Sequence, residues 1–364
     1  MPKQTLSPRY EALMRYAQML GFGDVHIKID PTVELHAIIA IHSTKRGPAI
    51  GGCRLYHYES NELAMKDALR LSYMMTLKAA AVDLPHGGAK AVILKPTVVK
   101  NREALFQAFG KFVHEMNGRY VVATDLGTTT HDMDKIAEYT PYVVGAAGID
   151  PAQSDPSPYT ARGVCRGIQA AVQFKMKRDH LEGLRVAIQG AGKVAYYLAR
   201  ELYALGVQIT ITDVKPETAR RFVEEFRAHI VPLETIYDVP CDIFAPCAIG
   251  GTINLDTLHR LKASIIAGAA NNQLAHRKYG ELAHKKGILY APDFVINAGG
   301  LIQAAALYDY HDASKADPCI EQLYDRLLNL FERAHQTNKP TADMAELIAR
   351  EKLSQENDLL VRCK

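Results

Sequence analysis

The sequence predicts a two-part α/β chain: an α+β half, then a doubly wound parallel sheet, with closing helices that pack back on the first half. Three observations carry this. Residues 184–189 form a short, mostly apolar run of the kind buried on both faces in parallel sheets. That run leads straight into Gly190-Ala191-Gly192-Lys193-Val194-Ala195, a helical pattern over 196–205 ending at Gly206, a second strand at 207–212 and then Asp213. Ahead of it, residues 150–158 (DPAQSDPSP) form a Pro-, Ser- and Asp-rich stretch that reads as a linker after a run of alternating strands and helices. The 364 residues suit two or three domains. We place them at 1–145, 146–330 and a helical segment, 331–364, returning to the first.

The elements follow in order. The first helix begins with Ser7 as cap and Pro8 at the first helical position, and stops at Gly21. Strand-like segments occupy 25–29, 35–42 and 51–55, followed by a helix over 62–78 and a strand over 87–94. Residues 103–116 carry apolar side chains at helical spacing, and the strand 119–123 delivers Thr124 and Asp125 at its C-terminal end. After the linker, 160–174 is helical. The remaining strands of the second sheet are 243–245, 265–267 and 289–290, alternating with helices. Helical segments from about 318 to 353 close the chain. Two such domains leave a cleft as the natural meeting place for cofactor and substrate.

Composition excludes several function classes. The net charge is +3, with no basic block interleaved with aromatics, so nucleic-acid binding is not expected. No apolar run is long enough to span a membrane, and the N-terminus lacks the apolar core of a signal peptide. The six cysteines show no Cys-x-x-Cys or Cys/His ligand spacing, which points to a reducing compartment without disulfides or a metal site. A cytoplasmic location is the expectation.

Two motifs carry chemistry. Lys78 and Lys90 stand twelve residues apart in a stretch that is otherwise small and apolar, with Gly87 and Gly88 just before the second. A buried lysine needs a partner, and one held beside apolar groups becomes a usable base near neutral pH. The bland alternative is two solvated lysines at strand ends; the Ala- and Gly-rich surroundings argue against it. We read the paired glycines as letting backbone approach closely and leaving room for a ligand. In the second motif, strand, Gly-x-Gly-x-x-Ala, helix, strand and acid stand in the order of a Rossmann dinucleotide fingerprint. Gly190 makes the tight turn, Gly192 admits the pyrophosphate, and the helix N-terminus supplies N–H donors. Asp213 can accept hydrogen bonds from the adenosine ribose and should repel a 2′-phosphate, which favours NAD over NADP.

With both motifs in place, the chain resembles the Glu/Leu/Phe/Val superfamily of amino-acid dehydrogenases, nearest its leucine dehydrogenases. The likeness runs from about residue 38 to 304. It rests on Gly47 to Arg54 (GPAIGGCR), Met75 to Lys78 (MTLK), Gly87 to Ala91 (GGAKA), Ala123 to Thr128 (ATDLGT), Pro246 to Ala248, Ala267 to Gln273 (AGAANNQ) and Tyr290 to Gly300 (YAPDFVINAGG). His86 and Ala89 depart mildly from the Phe-Gly-Gly-Gly-Lys of leucine enzymes. The resemblance implies oxidative deamination of an L-amino acid with NAD⁺ and water to a 2-oxo acid, ammonium and NADH. It implies Lys78 as holder of the substrate carboxylate, Lys90 as the base that activates water, and Asp125 as the group exchanging protons with the amine. It places Gly51, Gly52, Ile50, Ala123 and Asn297 around the substrate. Thr160 falls where the nicotinamide carboxamide is bound, and Ala248, Ala270 and Asn271 on further cofactor-contacting positions, beside Gly190, Ala191, Gly192, Lys193, Val194, Ala195 and Asp213. A homo-oligomer, plausibly an octamer with the C-terminal helices among its contacts, is also implied.

Substrate choice within the family turns on Ile50. Glutamate relatives carry lysine immediately before the paired glycines, and an aliphatic residue there leaves a side-chain carboxylate unpaired. Phenylalanine relatives use threonine at the place of Cys53 and glycine at that of Ala123. A branched-chain aliphatic substrate, leucine with valine and isoleucine, is therefore expected over phenylalanine or glutamate. A non-catalytic NAD-binding paralogue would be expected to lack Lys90 or Asp125, and both are present. Arg54 reads equally as a structural ion-pair partner or a ligand, Asp83 as an orienter of backbone or of Lys78, and His86 as a supporting or surface residue ahead of a catalytic one.

Overall fold

The computed structural model describes residues 8–146 and 154–362. The chain divides into two compact units, one of residues up to Asp155 with Leu307–Asp312 and the end of the chain from Lys352, the other of Pro156–Ala306 and Ala313–Glu351. The Ser7 cap and residues 150–153 of the expected linker lie outside the described residues.

In the first unit, α1 (Pro8–Leu20) precedes β1 (Asp24–Asp30), β2 (Leu35–Ser43), β3 (Ala49–Tyr56), α2 (Asn61–Ala81), β4 (Gly87–Leu94), α3 (Arg102–Glu115), β5 (Tyr120–Thr124) and α4 (Thr130–Ala137). The five strands form one sheet in the order β1-β2-β4-β3-β5. The β1–β2 and β2–β4 pairs are antiparallel, and β3 runs parallel to both β4 and β5. Alternation along the strands sorts the two faces. Leu35, Ala37, Ile39 and Ile41 of β2, with Ala89, Ala91 and Ile93 of β4, pack on Phe106, Phe109 and Phe112 of α3. On the other face Ile38, Ala40 and Val92 meet Ala64 and Ala68 of α2. That helix starts where Ser60 Oγ accepts the Leu63 N–H, an N-cap. Close to the expected boundary at 145, Val143 bridges to Val122 of β5.

The second unit contains α5 (Ser157–Met176), β6 (Arg185–Gln189), α6 (Lys193–Ala204), β7 (Gln208–Thr212), α7 (Pro216–Phe226), β8 (His229–Ile230), β9 (Ile243–Pro246), α8 (Leu255–Arg260), β10 (Ile265–Ile266), α9 (Lys278–Lys285), β11 (Leu289–Tyr290), α10 (Asp293–Ile296) and α11 (Gly299–Tyr310), whose last turn groups with the first unit. Its six strands are all parallel in the order β11-β10-β9-β6-β7-β8, the doubly wound arrangement with the switch point at β6. Gly206, at φ 77°, ends α6 as a left-handed residue just past the helix.

The closing helices do not return to the first unit as a block. After α12 (Asp317–Glu321), α13 (Leu323–Gln336) buries Leu323, Leu327, Leu330 and Phe331 within the second unit, against α5. Gly163 and Gly167 on α5 leave room for Leu323 and Leu327, and Phe174 meets Phe331 at 5.7 Å between ring centroids. An apolar face at helical spacing goes where the complementary small residues are. Only the end of α14 (Thr341–Arg362), from Lys352, groups with the first unit, where Lys352 Nζ lies 2.7 Å from Asp83 Oδ1. Among the described residues no helix is long and apolar enough to cross a membrane.

Candidate active site

In the first unit, the parallel strands β3, β4 and β5 bring chemistry to one sheet face. Ile50 pairs with Gly88 and Val121, and Gly52 pairs with Ala123, so these residues alternate onto the face that carries Lys90. Lys90 is only 5 % exposed, and its Nζ lies 2.8 Å from Asp125 Oδ2. Arg54 Nε donates to the same oxygen at 2.9 Å. A Cβ at Gly52 would fall 2.7 Å from Asp125 Cβ, 2.8 Å from the Thr124 carbonyl oxygen and 3.3 Å from Lys90 Nζ, so glycine here lets β3 pack closely against the ion pair.

The aspartate is delivered by a braced turn. Its backbone N–H donates to Thr128 Oγ1 at 2.9 Å, and that hydroxyl also lies 2.9 Å from the Cys53 carbonyl oxygen. Thr129 and Asp132 cap α4 reciprocally, while Arg102 grips both Asp132 oxygens at 2.7 Å and the Gly127 carbonyl at 2.7 Å. Burial pushes the Asp125 carboxyl up, but Lys90 and then Arg54 outweigh it and hold it down at about 2. The carboxylate is therefore ionised throughout the working range. Cys53, fully buried beside it, has its thiol pushed up by burial.

The paired glycines before Lys90 serve the protein's own packing. A Cβ at Gly87 would land 1.8 Å from the Ser43 carbonyl oxygen, and one at Gly88 would land 2.0 Å from Thr76 N. Helix α2 and β4 thus meet two residues before each lysine, and Lys78 stands half-buried in the last turn of α2. The room expected for a ligand at this pair is filled by Ser43 and Thr76. Gly51 also faces away, its missing Cβ 1.7 Å from the Ala89 oxygen and its carbonyl accepting from Tyr120 Oη at 2.9 Å.

Other residues find partners that local sequence does not announce. His86 is 1 % exposed, with Nε2 2.8 Å from Asp309 Oδ2 and Nδ1 3.2 Å from the Pro48 carbonyl, which makes it a buried tie rather than a surface residue. Asp83 pairs with Lys352. Asp67, Tyr58 and Arg102 went unread in the sequence, and Thr128 was read only as the end of the ATDLGT motif; of this brace, the Thr129-x-x-Asp132 cap was open to a motif search.

In the second unit the Gly-rich turn sits at the C-terminal edge of β6. Gly190 has φ 103°, and a Cβ there would meet Ala248 at 2.8 Å. Gly192 is the N-cap of α6, and a Cβ there would meet nothing within 4 Å. Asp213, just past β7, accepts from the Ala191 N–H at 2.7 Å and the Lys215 N–H at 2.9 Å. The exposed Val214 and Ile249 stand on loops to either side, after β7 and β9. Lys193 and Val194 form the first turn of α6, with Ala195 buried behind them. Asn297 Nδ2 donates to Asn271 Oδ1 at 2.8 Å and to the Ala269 carbonyl at 3.1 Å, and Gln273 Nε2 donates to the Ala270 carbonyl at 3.0 Å. Thr160, in the first turn of α5, donates to the Pro156 carbonyl at 2.9 Å and lies against Gly300.

The comparisons with known proteins agree with this geometry. Residues 24–142 match the model described as Glu/Leu/Phe/Val dehydrogenase, dimerisation domain, and residues 210–355 match that of Glutamate/Leucine/Phenylalanine/Valine dehydrogenase. The chain belongs to the Glu/Leu/Phe/Val dehydrogenase family. It is 46 % identical to a leucine dehydrogenase of Geobacillus stearothermophilus over 342 residues, 94 % of this chain and 93 % of that protein. A phenylalanine dehydrogenase of Caldalkalibacillus thermarum is 41 % identical over 329 residues, 89 % of each. The crystal structure of L-tryptophan dehydrogenase from Nostoc punctiforme superposes with a TM-score of 0.84 at 40 % identity, covering 95 % of this chain and 99 % of that one. As a Glu/Leu/Phe/Val dehydrogenase the protein is an amino-acid dehydrogenase, an α/β enzyme with an N-terminal domain and a Rossmann-type parallel sheet.

Proposed function

We propose that the protein is an NAD-dependent dehydrogenase of branched-chain aliphatic L-amino acids, leucine with valine and isoleucine, releasing the 2-oxo acid and ammonium. The observation that carries the chemistry is the buried Lys90–Asp125 ion pair, 2.8 Å long, packed against Gly52. Lys78 holds the substrate carboxylate as a point charge. Asp125 takes a proton from the substrate ammonium. Once the Cα hydride has left and the imine has formed, Lys90 takes a proton from the water that adds to its carbon. Asp125 returns its proton to the carbinolamine nitrogen, which leaves with the C–N electron pair as ammonia and takes up the hydroxyl proton as ammonium.

The aliphatic assignment rests on Ile50, which is 1 % exposed and beside Gly88 and Val121, and on the leucine dehydrogenase likeness. A buried ammonium or carboxylate at this position would lack a partner. The tryptophan and phenylalanine dehydrogenases at similar identity favour an aromatic substrate as the second reading.

The second unit fits a dinucleotide. The space beyond Gly192 at an N-cap without a side-chain cap suits a pyrophosphate, and Asp213 suits the ribose hydroxyls. When bound, NAD⁺ would supply the acceptor for the substrate Cα hydride. Asp213 would select against a 2′-phosphate, Gly190 would make the tight turn and Gly192 admit the pyrophosphate, Val214 and Ile249 would offer apolar surface to the base, and Thr160 would orient the carboxamide.

The enzyme works as a cytoplasmic homo-oligomer in this proposal. Edge strand β1 exposes Val25, Ile27 and Ile29 on one face, an edge that isolated proteins ordinarily protect. Light scattering should give a multiple of the subunit mass; a monomer would contradict it. Initial rates with L-leucine, valine, isoleucine, phenylalanine, tryptophan and glutamate, each against NAD⁺ and NADP⁺, test the main proposal. Leucine should lead, with NAD⁺ at least about tenfold better than NADP⁺ in kcat/KM, about 1.4 kcal/mol. Preference for an aromatic substrate, or equal use of the two cofactors, would overturn the corresponding half.

A further inference from the structure

Arg54 sits on β3 two residues after Gly52 and makes ion pairs with two carboxylates. Its Nε reaches Asp125 Oδ2 at 2.9 Å and its Nη1 reaches Asp67 Oδ2 at 2.8 Å. Asp67, on α2, is held from behind: Tyr58 Oη donates to its Oδ2 at 2.7 Å and Arg70 Nη2 to its Oδ1 at 2.9 Å. Burial pushes the Tyr58 phenol up, and the Asp67 carboxylate it bonds pushes it further, so it stays a donor. On the other side, Lys90 lies 2.8 Å from that same Oδ2 of Asp125. Both cations thus occupy one oxygen, and among the described residues no donor holds Oδ1.

A carboxylate on a short side chain turns readily about its last torsion and offers either oxygen. Charge-assisted bonds from two different strands remove that freedom. We infer that Arg54, backed by Asp67 and Tyr58, is a positioning residue that fixes the Asp125 carboxylate so that Oδ1 is the oxygen that exchanges a proton with the substrate nitrogen. The inference rests on the role proposed for Asp125. In the step, the nitrogen keeps its electron pair as its proton moves to Oδ1, leaving a neutral carboxylic acid whose Oδ2 remains bonded to Arg54 and Lys90. Those two cations favour the anion, so the acid gives the proton back when the carbinolamine nitrogen needs it.

Lys90 from β4 and Arg54 from β3 contact Asp125, while the buried Cys53 thiol and Tyr120 phenol, on the other face of the sheet, act on it only through space. Arg102 and Asp132, bonded to each other, lie beyond Cys53. Removing Arg54 leaves burial opposed by Lys90 alone, so the Asp125 carboxyl takes up a proton at higher pH. The rise starts from about 2, so wild type and variant both keep the carboxylate ionised at working pH, and what the variant loses is its orientation.

The test is kcat and KM at one working pH for wild type, Arg54→Met, Arg54→Lys, Asp67→Asn and Asp125→Asn, with L-leucine and NAD⁺. For Arg54→Met, kcat should drop at least about tenfold while KM changes less than about threefold, because the lost interaction serves the proton transfer and not ground-state binding. Arg54→Lys should recover part of that kcat, since it restores charge without the two-pronged geometry. Asp67→Asn should lower kcat by less, again with KM nearly unchanged, and it carries the test if Arg54→Met does not fold. A wild-type kcat in either folded variant, or a loss that falls on KM alone, overturns the positioning role. Substantial turnover in Asp125→Asn would instead overturn the role of Asp125 itself.

Discussion

A Cβ placed on Gly88 in the first unit would fall 2.0 Å from Thr76 N, whereas one placed on Gly192 in the second would meet nothing within 4 Å. The first glycine is demanded by the chain's own packing, α2 on β4. At the second, nothing in the protein requires glycine, and the space is left to whatever binds at the α6 N-terminus. The charged groups differ in the same way. Lys90, Asp125, Arg54 and Asp67 form an interlocked set bonded to one another, while the Asp213 carboxylate accepts from two backbone N–H groups. On the proposed function, the chemical half of this enzyme is built in advance, and the half proposed for the cofactor keeps its surface for its ligand. Similar motifs, each a pair of glycines near a lysine, therefore carry different physics.

The largest expected effect follows from that contrast. Gly88→Ala should cost about 3 kcal/mol of stability or more, because the atom it would strike is backbone and cannot move aside without lifting α2. Urea unfolding measures it; a loss below about 0.5 kcal/mol would mean that α2 does not rest on Gly88 in solution.

Ile50→Lys comes next. A prearranged apolar position should reject an ammonium, and leucine kcat/KM should collapse by at least about a hundredfold, the consequence of a few kcal/mol of uncompensated charge burial. Glutamate activity should rise little, since one charge without its supporting groups rarely rebuilds specificity. Unchanged leucine turnover would remove Ile50 from the pocket.

The smallest change in the fold is expected at Gly192→Ala. Its φ of −77° is open to any residue, so stability should stay within about 0.5 kcal/mol. NADH binding, followed by fluorescence, should weaken at least about tenfold. Equal NADH affinity would place the pyrophosphate elsewhere, and marked unfolding would erase the contrast with Gly88.

How much of this was legible in the sequence depended on how far apart the participating residues lie. The fingerprint from β6 to Asp213 is contiguous, so its turn, helix, strand and acid could be read directly and appear in that order. Asp125 was legible because a strand pattern ends on it. The brace around it was not. Arg54 meets Asp125 because β3 lies beside β5, and Asp67 because α2 packs over the same sheet, adjacencies that sequential order does not reveal. His86 meets Asp309 across a sequence separation of 223 residues, and Asp83 meets Lys352 across 269. The role of Gly87 and Gly88 was misread for a related reason: a glycine's demand comes from what faces it, here Ser43 and Thr76, and not from the lysine that follows. The closing helices went to the second unit because α13 found its small-residue complement on α5.

The most direct test of the account is Lys90→Ala, assayed for turnover and for NADH binding on the same preparation. The account predicts that kcat with L-leucine falls at least about a hundredfold, within the range a general base contributes, while NADH affinity is unchanged because the Gly-rich turn of the second unit is untouched. Turnover within about tenfold of wild type would contradict it and move the base away from the Lys90–Asp125 pair.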